Sequence, residues 1–230
     1  FMVGGGSRYE SDKQGGVFHF IEHLFFKGTP TRPTPKMVSE TIEQLGGYMN
    51  ASTDREITSY WCKVARTHFA TALDLLVDML RNAVFDPNEI EKERGVILEE
   101  LAMSNDHPDE RVGLLIDSVL WPNQPLGRDV GGSEESVSNI NRDDIVDCMN
   151  TQYVPNNVVV TVAGNVEHEE VVNKLDTWMG DWENRVPMKY SPVIETQKQP
   201  EVSIESRKSD QAHICVAIRG LAAEDPRRFA

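Results

Sequence analysis

The chain has 230 residues, of which 39% are hydrophobic, and its formal net charge is −14 at pH 7. This length fits one large domain, or one domain and part of another. No stretch approaches the run of about 20 apolar residues that spans a membrane. The negative charge argues against a nucleic-acid partner, because binding to a phosphate backbone depends on clustered lysine and arginine. The three widely spaced cysteines favour a reducing compartment over a disulfide framework.

The first six residues read as a strand that runs into three glycines. They contain neither a basic segment nor an apolar signal core. We therefore expect the natural amino terminus to lie upstream, so a targeting signal cannot be judged from this sequence.

The next predicted element is a helix that carries the motif His-x-x-Glu-His. At about 100° per residue, His19 and His23 lie one turn apart on one face, with Glu22 beside them. The opposite face is apolar, so the helix is expected to be buried. Imidazoles in a buried helix need a partner, because unpaired polar groups inside a protein cost several kcal/mol.

A zinc ion would be such a partner. Neutral imidazoles at this spacing suit Zn²⁺, and a nearby carboxylate that is not a ligand can accept a proton from the zinc-bound water. The order of the residues is that of the inverzincin motif. The alternative is an ordinary core helix that matches the motif by chance.

A second helix is predicted from Pro35 to about residue 45, capped by Thr34 and ended by two glycines. A hairpin follows, with strands at Tyr48–Thr53 and at residues 57–64. The first strand has two interpretations. It is either an ordinary half-exposed strand, which the residues alone favour, or an edge to which an extended peptide can pair through Asn50, Ala51, Ser52 and Thr53.

After a long amphipathic helix capped by Thr67, Asp86 and Glu89 predict a capping box that opens a helix over residues 87–104. This helix offers candidates for a third zinc ligand. Glu93 and Glu100 lie seven residues apart at the edge of its apolar face, whereas Glu99 points away from that face and should be solvated. Spacing alone does not choose between Glu93 and Glu100, nor between a ligand and a charged helix margin.

The rest of the chain is predicted to contain further helices and strands. Helices are expected at residues 108–121, from Asn141 onward and at 167–179; strands are expected at 158–163, 202–207 and 212–219. Three parts follow from this pattern: a domain over residues 1–185, a proline-rich linker over 186–200, and the start of a second, related domain over 201–230.

Several motifs, taken together and in order, resemble the pitrilysin/insulinase peptidases, including the processing peptidases. They are Gly-x-x-His-Phe-x-Glu-His-x-x-Phe-Lys-Gly-Thr from Gly16, the Asn-Ala-x-Thr segment from Asn50, Glu93-Arg94, Glu99-Glu100-Leu101, Pro125-Leu126-Gly127, Tyr153-x-Pro155-x-Asn157 and Gly164-Asn165. One position departs from the family, because Phe18 stands where relatives usually carry serine or alanine.

The resemblance implies an α+β fold, an α/β roll with a mainly antiparallel sheet packed by helices, as the amino-terminal half of a two-domain peptidase. It implies a zinc metalloendopeptidase in which His19, His23 and Glu100 bind Zn²⁺. In that scheme Glu22 is the general base, Glu93 is a supporting carboxylate, and substrate adds as a strand along Asn50 and Ala51. The alternatives are a catalytically silent assembly subunit of the same fold and a purely structural zinc site.

The implied partners are a peptide or unfolded polypeptide substrate, a missing carboxyl-terminal half that supplies an Arg/Tyr pair, and either a second copy or an inactive homologous subunit. The expected compartment is the bacterial cytoplasm, with the mitochondrial matrix as the alternative.

Overall fold

A computed structural model describes residues 1–208 and 210–229. Within these ranges the chain forms eight α-helices and a four-stranded sheet. The helices are α1 (Val17–Phe25), α2 (Pro35–Glu43), α3 (Phe69–Asn82), α4 (Pro87–Asp106), α5 (Pro108–Leu120), α6 (Glu134–Asn139), α7 (Arg142–Gln152) and α8 (His168–Met179). The strands are β1 (Met2–Val3), β2 (Tyr48–Thr53), β3 (Thr58–Lys63) and β4 (Val158–Val159).

The sheet has the order β2-β3-β1-β4, and every neighbouring pair is antiparallel. β2 and β3 form the predicted hairpin, in register from Tyr48 opposite Lys63 to Thr53 opposite Thr58. Met2 of β1 pairs with Ser59 on one side and Val159 on the other. The predicted fold class, a mainly antiparallel sheet packed by helices, is confirmed, and β2 lies at one edge of the sheet.

α1 lies at the centre of the hydrophobic core. Its apolar face is fully buried, as the sequence pattern predicts, and comprises Val17, Phe20, Ile21, Leu24 and Phe25. Residues from α7 and from the turn after it, including Ile145 and Tyr153, belong to the same core. The hydroxyls of Tyr60 and Tyr153 hydrogen-bond at 2.9 Å beside the Phe25 ring. Burial of this helix on several sides fixes the direction in which its polar residues point.

Local hydrogen bonds set the helix boundaries. Thr34 accepts a hydrogen bond from the Met37 amide, and Asn141 forms a capping box with Asp144, as predicted. Asp86 caps α4, but the Glu89 carboxylate, which was predicted to accept a hydrogen bond from the Asp86 amide, forms a salt bridge with Lys92 instead. The predicted cap at Thr67 is wrong, because residues 66–68 form a 3₁₀ turn and α3 begins after it without a side-chain cap.

The predictions near the carboxyl end need correction. Residues 202–207 and 212–219 are not strands: they have no partner strand in the described residues, and their apolar side chains are exposed. The predicted strand at 158–163 pairs only over Val158–Val159. An alternating or apolar pattern makes a segment suitable for a strand. A β-strand also requires a neighbouring strand with which its backbone forms hydrogen bonds. The sequence analysis also missed α6, which Ser133 opens with a capping box to Ser136.

No helix within the described ranges combines the length and the apolar character that crossing a bilayer requires.

Candidate metal centre

A buried carboxylate anchors the start of α1. The N-cap residue Gly16 has a φ of 90° and no side chain to accept hydrogen bonds. Glu10 fills this role, because its carboxylate accepts hydrogen bonds from the Gly16 amide at 2.8 Å and the Phe18 amide at 3.0 Å. Burial raises the pKa of Glu10 to about 7, although these donors and Arg128 oppose the shift. The helix that carries both histidines is thus fixed at its first turn.

Three side chains from two helices converge beside α1. The Nε2 atoms of His19 and His23 are 3.3 Å apart. An oxygen of Glu100, from α4, lies 3.4 Å from His23 Nε2 and 3.8 Å from His19 Nε2. One ligand atom from each residue falls within a group no wider than 4.8 Å, and all three side chains are partly exposed. The structure therefore brings together the three predicted zinc ligands at a place that solvent reaches.

The hydrogen bonding around these atoms favours a cation between them. His23 Nδ1 lies 3.1 Å from a Glu93 oxygen. A carboxylate only accepts hydrogen bonds, so Nδ1 carries a proton, and in the neutral imidazole that a metal ion binds Nε2 then presents a lone pair. That lone pair faces the Glu100 carboxylate, an arrangement that is repulsive without a positive charge in the middle. Two imidazoles and one carboxylate are a donor set typical of catalytic zinc, which uses three protein ligands.

His19 adds to the fit. Burial, and secondarily the nearby His23, lower the pKa of His19 to about 4, so its imidazole is neutral at pH 7. Neutral imidazole is the form that binds a metal ion. The residues present thus fit a zinc ion.

Glu22 stands beside the three donor atoms without joining their group. The hydroxyl of Thr53, the last residue of β2, donates a hydrogen bond to its carboxylate. Burial raises the pKa of Glu22, while Thr53 and His23 oppose the rise. A carboxyl group in this position is oriented and basic, as proton transfer requires.

Glu93 and Glu100 take different places. Glu100 contributes to the donor group, whereas Glu93 is buried and contacts the far side of His23. The second oxygen of Glu93 lies 2.6 Å from Lys27 Nζ. Glu99 is exposed, as its helical phase predicts. The sequence analysis did not assign a role to Lys27, although its position four residues after His23 places it on the same face of α1.

The candidate substrate strand borders this group. Ala51 and Thr53 are half-buried, whereas Asn50 and Ser52 are exposed. β2 has no outer neighbour among the described strands, and the Ala51 amide is covered by the Asn50 side chain at 2.9 Å. The structure thus places a free sheet edge next to Glu22, while the predicted binding of substrate there stays a prediction.

A cavity of about 400 Å³ opens beside the donors. Its lining includes His19, Thr53 and Glu100 and three titratable residues that the sequence analysis did not single out: His107, Glu110 and Asp129. Asp129 belongs to a loop without a periodic pattern, so no sequence signal pointed to it. A larger, mainly apolar cavity of about 510 Å³ between β3 and α3 contains none of the donor residues.

Comparison with protein families finds two matching models. Residues 1–134 match the model described as insulinase, peptidase family M16, and residues 139–230 match the model described as peptidase M16 inactive domain. The division between the two models falls before α7. The sequence-based division into residues 1–185, 186–200 and 201–230 stays a prediction.

Curated relatives carry matching names. An uncharacterised zinc protease of Bacillus subtilis is 35% identical over 95% of this chain and 53% of its own length. The mitochondrial-processing peptidase subunit beta of Dictyostelium discoideum is 34% identical over 99% of this chain and 49% of its own length. The chain therefore spans about half the length of these relatives.

Solved structures share the fold. A protease from Helicobacter pylori superposes with a TM-score of 0.78 at 24% identity, over 84% of this chain and 47% of its own. Pitrilysin superposes with a TM-score of 0.73 at 23% identity, over 84% of this chain and 21% of its own. At this level of identity the superpositions show a common fold and nothing finer.

Proposed function

This chain belongs to the insulinase family of peptidases, family M16, and from that premise we propose that it is the zinc-binding, catalytic part of a metalloendopeptidase. The observation that carries the proposal is the convergence of His19, His23 and Glu100, with Glu22 adjacent but outside the donor group. The names of the relatives, zinc protease and processing peptidase, support the same chemistry.

In this proposal each polar residue of the centre has one task. His19, His23 and Glu100 hold a zinc ion, which when bound supplies Lewis acidity that activates water and polarises a peptide carbonyl. Glu22 removes the proton from the attacking water and returns it to the leaving amine nitrogen. Thr53 orients Glu22 by its hydrogen bond, and Glu93 orients His23 through Nδ1.

The substrate is a peptide or an unfolded polypeptide that adds to the free edge of β2 along Asn50, Ala51, Ser52 and Thr53. Edge addition suits cleavage of extended segments, since main-chain hydrogen bonds hold any sequence in a straight conformation. The peptide would replace the Asn50 side chain as the partner of the Ala51 amide. This placement brings the substrate backbone next to Glu22.

The whole enzyme would be larger than this chain, as its relatives are. We propose that residues 201–230 begin a second, related domain, whose remainder completes the active site with an Arg/Tyr pair, and that this chain alone cleaves slowly. A second copy or an inactive homologous subunit is the expected partner. The bacterial cytoplasm or the mitochondrial matrix stays the expected compartment.

Two other functions have less support. A catalytically silent assembly subunit is expected to lack a residue of the motif, yet His19, Glu22, His23 and Glu100 are all present and lie together. Structural zinc sites are normally closed by four protein ligands, mostly cysteine and histidine. The described donor group has three members and borders a cavity.

Replacement of Glu22 tests the proposal. In the full-length protein, Glu22→Gln should retain bound zinc and lose cleavage of a quenched peptide by about 10²–10⁴-fold, because the amide cannot accept the proton. The matched control is Glu99→Gln, which removes an exposed carboxylate from α4 and should leave both readings unchanged. Cleavage by Glu22→Gln at the parent rate would show that Glu22 is not the base, and absence of zinc from the parent protein would refute the metal centre.

A further inference from the structure

On the far side of His23, a lysine completes a line of three charged or polar side chains. His19, His23 and Lys27 follow each other at intervals of four residues. Helix α1 ends at Phe25, but the Lys27 amide still donates to the Leu24 carbonyl at 3.0 Å. The turn thus continues far enough to hold Lys27 on the face that carries the histidines.

Glu93 connects Lys27 to His23 through its two carboxylate oxygens. One oxygen lies 3.1 Å from His23 Nδ1, and the other lies 2.6 Å from Lys27 Nζ. Glu93 belongs to α4, so the connection also joins the two helices that supply the candidate ligands. Within the described residues, Lys27 is the lysine or arginine that forms an ion pair with Glu93.

The Glu93 side chain is only 8% exposed. A carboxylate taken out of water at this depth needs a compensating partner and hydrogen bonds to both oxygens. The Lys27 side chain, itself 24% exposed, provides the charge and holds one oxygen through its ammonium group. With that oxygen fixed, the carboxylate cannot rotate freely, and the other oxygen stays aimed at His23 Nδ1.

The direction in which this Glu93 oxygen points matters for metal binding by His23. A histidine that binds a metal through one nitrogen is oriented by the acceptor of the hydrogen bond from the other. From this geometry we infer that Lys27 is a positioning residue of the metal centre: through Glu93 it fixes the ring orientation of His23 and keeps Nε2 turned toward His19 and Glu100. The inference rests on the proposed function, since it assigns Lys27 a role in binding the proposed zinc ion.

The test measures zinc affinity in the full-length protein by competition with a chromogenic chelator. Lys27→Met should weaken zinc binding about 10–100-fold, the usual effect of losing a partner behind a metal-binding histidine. Lys27→Arg, which retains a charged donor, should restore affinity to within a few-fold of the parent. Lys36→Met is the matched control, because the Lys36 side chain is 79% exposed and its ion pair among the described residues is with Glu40 on its own helix. This control should bind zinc as the parent does.

Two further measurements distinguish a positioning role of Lys27 from a contact that only stabilises the packing of α1 against α4. The cobalt-substituted protein should show an altered visible spectrum in Lys27→Met, since the ligand field reports the geometry of His23. Thermal unfolding of the metal-free proteins measures the structural contribution alone. A lower melting temperature with unchanged zinc affinity and unchanged spectrum would overturn the inference.

A variant that fails to fold does not end the test. Lys27→Gln keeps an N–H donor but is one bond shorter and carries no charge. Affinity at least several-fold weaker than that of the parent would support the inference, whereas parental affinity would overturn it. These outcomes differ from failure of the proposed function, in which the parent protein and the Lys36→Met control would themselves bind no zinc.

Discussion

Glu10 shows how one buried side chain acts at the residue scale. It is 6% exposed, it lies outside α1, and it supplies the acceptor that Gly16 lacks at the start of the helix. A carboxylate at a helix amino terminus is favoured by the partial positive charge there. Desolvation nevertheless dominates, so the pKa of the group rises from 4.5 to about 7.

This shift predicts a pH-dependent stability. Between pH 4.5 and 7 the folded chain holds a proton on Glu10 that the unfolded chain has released. The stabilisation is complete below the unfolded pKa and disappears as the pH rises through the folded pKa. Relative to Glu10→Gln, we expect the free energy of unfolding to fall by about 2–3 kcal/mol from pH 5 to pH 8. Urea unfolding of both metal-free proteins at several pH values measures this difference, and parallel curves would contradict it.

At the scale of packed elements, the size of the side chain at Phe18 depends on the residue at position 5, which is a glycine. Phe18 is 1% exposed and stacks on Tyr153 with ring centroids 6.2 Å apart. A Cβ atom at Gly5 would lie 2.3 Å from the Phe18 ring. The large side chain of Phe18 is thus accommodated by the absence of a side chain at Gly5, after β1.

A double-mutant cycle tests this packing. Gly5→Ala should destabilise the protein by about 1–3 kcal/mol through overpacking, and Phe18→Ala by about 3–5 kcal/mol through the cavity it leaves. The double variant should lose less than the sum, because truncating the Phe18 ring frees the space that a methyl group on residue 5 needs. Chemical denaturation of the four proteins gives the coupling energy. Additive losses would mean that the two positions do not share this space.

The elements differ in how far sequence predicts them. Caps such as Thr34 and Asn141 and the apolar face of α1 depend on neighbouring residues, so local patterns predict them. The helical phase of α4 predicts the exposure of Glu99 but not the separate places of Glu93 and Glu100, which depend on how α4 packs against α1. The contact of Lys27 with Glu93 joins segments far apart in the chain, and no local pattern reports such a contact.

At the scale of the whole molecule, the last part of the chain differs from the rest. Apolar side chains at alternate positions, Val202, Ile204, Ile214, Val216 and Ile218, are 82–91% exposed. Rows of exposed apolar residues usually mark surfaces that bind another protein segment. They agree with the proposal that a second domain begins here, and with relatives that are about twice as long.

Limited proteolysis tests this view of the molecule. Trypsin should first cut this chain between residues 186 and 219, because residues 186–208 and 210–219 form no helix or strand and their lysines and arginines are accessible. Residues 1–180 should persist as a resistant core. Mass spectrometry of the early products identifies the sites, and the full-length protein should resist cleavage in the same segment. First cuts inside α4 would contradict the prediction.

The hydrogen bond from Thr53 to Glu22 would affect which peptide bonds of a bound polypeptide are cleaved. A chain aligned on β2 is gripped by its backbone, which is the same at every residue, while side chains alternate between the two faces. Sliding it by one position reverses which faces they occupy, and sliding it by two restores the pattern. In the proposed function Glu22 is the proton acceptor, and its hydrogen bond to Thr53 ties it to the end of the strand. Cleavage would then fall at every second peptide bond, and successive products would differ in length by even numbers.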